Sequence, residues 1–147
     1  MTIFKINIKI WKFILLAITQ LGPTMIAQSD TLNTGREIAK LYHDGDVKAI
    51  WSISTSDMQK AFVSINDLRN LRESIISNLG TEVEVLSEQT VKEANFDVYT
   101  RVGRWTGTAV AIEIVVATDE LNKLAGFWIR PQRVAAHSPH LNYQVKS

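Results

Sequence analysis

Glu113 is the side chain best placed in this sequence to move a proton in an enclosed site. It stands in the middle of Ala109-Val110-Ala111-Ile112-Glu113-Ile114-Val115, the most apolar strand-like run of the chain. A carboxylate desolvated there would have its pKa raised toward neutrality, as a general base requires. A base also needs a group to stabilise the oxyanion it creates, and Tyr99 is the aromatic hydroxyl of the neighbouring strand. One acid and one tyrosine do not complete a catalytic constellation. Alternation along a strand supplies the plainer reading: if Ile112 and Ile114 pack on helices, Glu113 points the other way and pairs across strands with Arg101 or Arg104.

Other residue types narrow the chemistry further. His137 and His140 form an H-x-x-H pair near the end of the chain, but no further ligand cluster accompanies them. Asp44-Gly45-Asp46 has the start of a calcium loop and lacks its remaining acidic ligands and distal Glu, so it reads as a cap and turn. There is no cysteine, which removes disulfides, thiolate nucleophiles and cysteine-ligated zinc together. No metal or cofactor is expected. Trp51, Phe62, Tyr99, Trp105, Phe127 and Trp128 are the residues that would line an apolar ligand pocket. The commoner fate of such residues is the core. Trp105 and Trp128, beside arginines near strand ends, would alternatively form an exposed patch that meets another protein.

The elements that must position these groups can be read from hydrophobic period. Leu32, Ile38, Ala39 and Tyr42 recur at helical spacing, and Gly45 offers the left-handed conformation that stops a helix. Asp46 caps a short second helix that turns Val47, Ile50 and Trp51 inward. Thr55 or Ser56 caps a third, bearing Met58 and Phe62. Ser64-Ile65-Asn66-Asp67 is a capping-box variant opening the longest predicted helix, with Ile65, Leu68, Leu71, Ile75, Ile76 and Leu79 as its stripe. Arg69, Arg72 and Glu73 are left for solvent, and Gly80 ends it.

From Thr81 the period changes to two. Val83 and Val85 alternate with acids, and Val91 follows a polar patch. Asn95 makes a turn, then Phe96, Val98, Thr100 and Val102 alternate with Asp97, Tyr99, Arg101 and Gly103. Thr106-Gly107 turns into a strand over 109–118, Asp119 to Asn122 turns again, and Leu124 to Ile129 is the last strand, closed by Pro131. Four strands joined by short turns make an antiparallel sheet. Helices followed by such a meander predict one α+β domain whose sheet curls around the long helix.

The two ends differ from this body. Lys5, Lys9 and Lys12 are the only charges before Asp30, and Phe13 to Ala27 is almost wholly apolar. A basic stretch followed by an apolar one predicts a cleaved signal peptide over 1–27 and export to the periplasm or beyond. Its apolar run contains Gly22 and Pro23 and is shorter than a spanning helix needs. Losing it removes three lysines and no acid, leaving no basic stripe of the kind a nucleic-acid partner requires. The domain then runs over 28–131, and 132–147 is expected to be a loose tail.

One further reading comes from resemblance. Val115-Val116-Ala117-Thr118-Asp119-Glu120-Leu121-Asn122-Lys123-Leu124-Ala125-Gly126-Phe127-Trp128-Ile129-Arg130-Pro131 resembles the closing hairpin of the family known as domain of unknown function 3887, in which a polar turn leads to an I-A-G-hydrophobic strand ending in Pro. Tyr42 to Trp51 looks like its helix pair opened by Gly-Asp, and Leu79-Gly80 like the end of its long helix. The likeness spans about residues 32 to 131. It implies a nuclear transport factor 2-like cone, a curved sheet cupping helices around a cavity. It also implies an accessory role beside exported serine hydrolases, although neither G-x-S-x-G nor S-x-x-K occurs in this sequence. The expectation that follows is a non-catalytic exported domain, stand-alone or detached from a hydrolase, which holds a small apolar ligand or a protein partner and forms a homodimer through an outer sheet face carrying Glu113, Tyr99 and the arginines. The alternative is a small-cavity isomerase, dehydratase or cyclase with Glu113 as base.

Overall fold

The computed structural model describes residues 25–132. His137 and His140, with the rest of the expected tail beyond Gln132 and the leader up to residue 24, lie outside the described residues. Four helices precede four strands: α1 (Met25–Asp44), α2 (Val47–Ile53), α3 (Ser56–Phe62), α4 (Ile65–Leu79), β1 (Glu82–Glu93), β2 (Phe96–Trp105), β3 (Ile112–Thr118) and β4 (Leu124–Pro131). The strands form one antiparallel meander in the order β1-β2-β3-β4. This is the α+β arrangement expected from the change of period.

Local chemistry sets most of the boundaries. Gly45 takes φ 79° after α1, and Asp46 accepts the Ala49 N–H at 3.0 Å to start α2. Thr55 accepts the Met58 N–H at 3.3 Å at the head of α3. Ser64 accepts the Asp67 N–H and donates its hydroxyl to the Asp67 carboxylate, so the expected N-cap forms, but not the reciprocal half of the capping box, because the Ser64 N–H donates to Phe62 C=O instead. Between α3 and α4, Val63 has φ 71° and ψ −57° while Ser64 N–H donates to Phe62 C=O at 2.9 Å. That is a γ-turn of the rare hand, carried by an exposed β-branched residue.

Three element boundaries differ from the sequence expectation. α1 begins at Met25 rather than near Leu32, because the polar stretch before Ile38 carries no apolar period yet continues the helix. β1 is unbroken through its polar middle, since pairing with β2 over Glu82 to Glu93 holds it, with irregularities between Glu82 and Glu84 and between Val85 and Ser87. β3 starts at Ile112 and not at Ala109, where Thr108 accepts the Val110 N–H at 3.1 Å in a local turn.

The helix laid along the sheet is also a different one. α1 packs on β1, β2 and β3, while α4 packs on α2 and α3. The stripe of α4 is accordingly shallow: Leu68 is buried, and Ile65, Ile75 and Leu79 only flank the core. Arg72, expected to face solvent, turns inward. Its Nε and Nη2 donate to the Tyr42 and His43 carbonyls at 2.6 and 2.7 Å, satisfying the free C=O groups at the end of α1.

The core gathers Ile38, Ala39 and Tyr42 of α1, Val47 and Ile50 of α2, Met58 and Phe62 of α3, Leu68 of α4, and Tyr99, Trp105, Ile112, Ile114, Val116, Leu124 and Phe127 of the sheet. Val102, Val115 and Ala117 are also buried yet stand outside this cluster. Alternation explains the division, because these three point to the opposite face of the sheet.

Candidate functional site

The strand register decides which side chains can meet. Tyr99 stands opposite Val116 and Val102 opposite Glu113. Tyr99 therefore shares the helix-side face with Val116, Ile114 and Ile112, and Glu113 shares the outer face with Val102 and Val115. Glu113 and Tyr99 do not converge. The expected pairing of Glu113 with Arg101 or Arg104 is replaced by Arg130, its register partner on β4, whose Nε donates at 2.8 Å. The expectation that Tyr99 shares the outer face is likewise corrected.

Tyr99 instead anchors a group of charged residues on the helix side. Its hydroxyl donates to Glu88 of β1. Arg36 of α1 grips the same carboxylate, with Nε donating at 3.0 Å and Nη2 at 2.6 Å. Arg101, facing Glu88 across the strands, reaches it at 3.5 Å and also binds Glu82 through Nε at 3.0 Å and Nη2 at 2.5 Å. His43, at the end of α1, brings Nε2 to 3.2 Å from Glu82 Oε2, although out of line for a hydrogen bond. Six residues from α1, β1 and β2 thus form one chain of contacts, His43, Glu82, Arg101, Glu88, Arg36 and Tyr99.

The electrostatics follow from these contacts. Hydrogen bonds from Arg36, supported by Tyr99, hold the Glu88 carboxyl below its usual range. Burial, with the Glu88 hydrogen bond second, pushes the Tyr99 hydroxyl far up, so it remains a donor. Burial lowers the His43 pKa against the pull of Glu82, and Arg101 and Arg72 add to the lowering. The set is a closed ionic clamp in which both acids are committed to arginines. Its donors and acceptors are aimed at one another, which suits it to tying α1 to the edge of the sheet.

The aromatic pocket candidates mostly serve the core. Phe62, Tyr99, Trp105 and Phe127 are buried members of the main cluster, and Trp51 packs against it. Tyr42, which the sequence reading placed on the inner stripe of α1, stacks at 5.4 Å on Phe127. Trp128 is separate: it lies opposite Val115 on the outer face, and the far end of its indole reaches back over Gly126. A hollow of about 280 Å³ opens between the β1–β2 and β3–β4 turns, bordered by Asn95, Phe96, Asp119, Glu120 and Leu121. None of the six aromatic candidates borders it.

The outer face is the surface that remains. Val98, Thr100 and Val102 of β2 stand beside Ala117, Val115 and Glu113 of β3, and these beside Gly126, Trp128 and Arg130 of β4. The helices pack on the other side. The face is an apolar band with two ion pairs at one end, Glu113–Arg130 and Arg104–Glu84. Among the described residues no group of three or more His, Cys, Asp or Glu is arranged to hold a metal ion.

Sequence reasoning missed Arg36, Glu88, Glu82 and His43. A signal existed in part, since Glu82 and Glu88 are acids at strand positions where their neighbours are exposed, but nothing in the sequence paired them with a helix 52 residues away in the case of Arg36 and Glu88. No family model, no curated protein and no solved structure matches this chain, so the likeness to domain of unknown function 3887 rests on the residues quoted for it.

Proposed function

We propose that this chain is an exported, non-catalytic domain of nuclear transport factor 2-like type that binds a protein partner through the outer face of its sheet. The observation that carries the reading is the second apolar band outside the helix-covered core, in which Val102, Val115 and Ala117 are buried and the half-buried Val98, Thr100 and Trp128 are the side chains a partner would meet. An apolar sheet face with an aromatic on its edge strand and charge at its margin has the composition of a protein interface. A small apolar ligand is less well supported, because four of the six aromatic candidates are buried in the core and Trp51 packs against it. The proton-transfer alternative needs Glu113 and Tyr99 in one cavity, and they occupy opposite faces.

Site-specific photo-crosslinking in the exporting cell tests the reading. A photoreactive residue at Thr100, on the outer face, is expected to give a discrete adduct with a polypeptide, while one at Lys60, on α3, gives none. Equal labelling from both positions, or none from Thr100, would overturn it. A small molecule retained by the purified protein in native mass spectrometry would transfer support to the ligand reading.

A further inference from the structure

β1 is an edge strand: it pairs with β2 and with no other described strand. An unpaired edge presents a row of free N–H and C=O groups, and proteins protect such edges with short strands, prolines or bulges. β1 carries charged residues, which also guard edges, and irregularities in its first half, but it has neither brevity nor proline. It is the longest strand, 12 residues, and contains no proline. Both of its irregularities fall before Ser87, so Ser87 to Glu93 is an unbroken run of pairing with β2. The ionic clamp fixes this same run, because Glu88 is held by Arg36, Tyr99 and Arg101. Val91 is 48% exposed there.

The run is also complementary to itself. Laid antiparallel against a second copy about a two-fold axis at Thr90, it brings Glu88 opposite Lys92 twice, Gln89 opposite Val91 twice, and Thr90 opposite Thr90. A threonine pair and added cover for a β-branched residue are favourable cross-strand contacts, and Lys92, which lies 3.4 Å from Asp97 in its own chain, adds a favourable charge beside Glu88, which keeps its own Arg36 partner. Centring the axis on Glu88 would oppose two like charges, and centring it on Gln89 or Val91 leaves Lys92 opposite a neutral residue. We propose that a second copy of this chain pairs along the β1 edge in the Thr90-centred register, joining two sheets into one. This interface is the edge of the sheet, distinct from the outer face assigned to a partner above, and it stands whether or not that assignment does.

The absence of cysteine gives the test a clean background. In this register the two Thr90 Cα atoms lie about 4.5 to 5.5 Å apart, within the span of a disulfide. Thr90→Cys is expected to form a covalent dimer on oxidation, whereas Leu121→Cys, on an exposed turn, does not at the same concentration. Analytical ultracentrifugation of the unmodified protein is expected to show a reversible dimer. Lys92→Glu, which sets Glu against Glu88 twice, weakens it roughly tenfold, with circular dichroism confirming that the fold is kept. Monomer at every concentration overturns the proposal. So does a dimer indifferent to Lys92→Glu, or one that cross-links no faster at position 90 than at position 121.

Discussion

The two faces of the sheet each hold a glutamate largely withdrawn from solvent, and the two are used differently. Glu88, on the helix side, has a side chain 15% exposed and is bound by Arg36, Arg101 and Tyr99. Glu113, on the outer face, is 13% exposed and has Arg130 as its ion-pair partner. Depth is therefore nearly equal while connectivity is not. The helix side has bound its charges into a clamp between α1 and β1, and the outer face retains an apolar band beside two separate pairs, Glu113–Arg130 and Arg104–Glu84. Burial of an acid alone does not identify a functional residue; what else is bound to it decides whether it is structural.

If the helix side is the rigid half, the largest loss should come from separating α1 from β2. Gly35 of α1 lies against the Tyr99 ring so closely that an added methyl would overlap its Cβ, Cγ and Cδ1 atoms. A glycine exposed in mid-helix gains about 1 kcal/mol when replaced by Ala; here the overlap with an immobile, fully buried ring reverses the sign. Gly35→Val is expected to cost more than about 3 kcal/mol, read as a shift of the urea midpoint. A stability equal to the parent's would show that α1 does not rest on Tyr99.

The clamp itself gives the next comparison. Glu88→Ala leaves Arg101 and Tyr99 without a shared acceptor and should cost about 2 kcal/mol, discounted because Arg36 is half exposed. Glu113→Ala removes one partly exposed pair and should cost about 1 kcal/mol or less. Equal costs in chemical denaturation would erase the distinction between the faces.

The response to acid should also belong to the helix side. A lowered His43 pKa means that the folded protein binds fewer protons than the unfolded chain below about pH 6.5, so stability falls as pH drops through that range. Glu88, held below its ordinary 4.5, adds a further loss only once pH falls past that value. Unfolding measured between pH 7 and 5 should therefore steepen with acid in the parent and flatten in His43→Gln.

How much of this was legible can be judged residue by residue. Gly45, Asp46, Thr55, the Ser64 cap, Gly80 and the Asp119 to Asn122 turn act through contacts within a few residues, and each was readable from its type and spacing. Alternation also placed Glu113 opposite to Ile112 and Ile114. The partners were another matter. Arg72 looked solvent-facing on its helix because its targets, the carbonyls of Tyr42 and His43, lie some thirty residues away in the chain. Arg130 replaced Arg101 and Arg104 because the strand registers set Glu113 opposite Val102 and Arg130, which leaves Arg101 on the helix face with Glu82 and Arg104 paired with Glu84. The γ-turn at Val63 could not be read at all, since a β-branched residue is the least expected type at positive φ.

Gly126 offers the smallest and most discriminating test of the outer face. As at Gly35, an added methyl would overlap an aromatic side chain, here the far edge of the Trp128 indole. The two overlaps look alike as distances but differ in what can yield. Tyr99 is 1% exposed and enclosed by α1, with its hydroxyl bound to Glu88. Trp128 is only partly buried on a face that the helices do not cover, and its ring tip can turn toward solvent. Gly126→Ala should therefore cost under about 1 kcal/mol while shifting indole emission to longer wavelength as Trp128 becomes more hydrated. A loss as large as that of Gly35→Val would mean that the Trp128 ring is held as firmly as Tyr99, and the outer face would then be a second packed layer with no freedom to receive a partner.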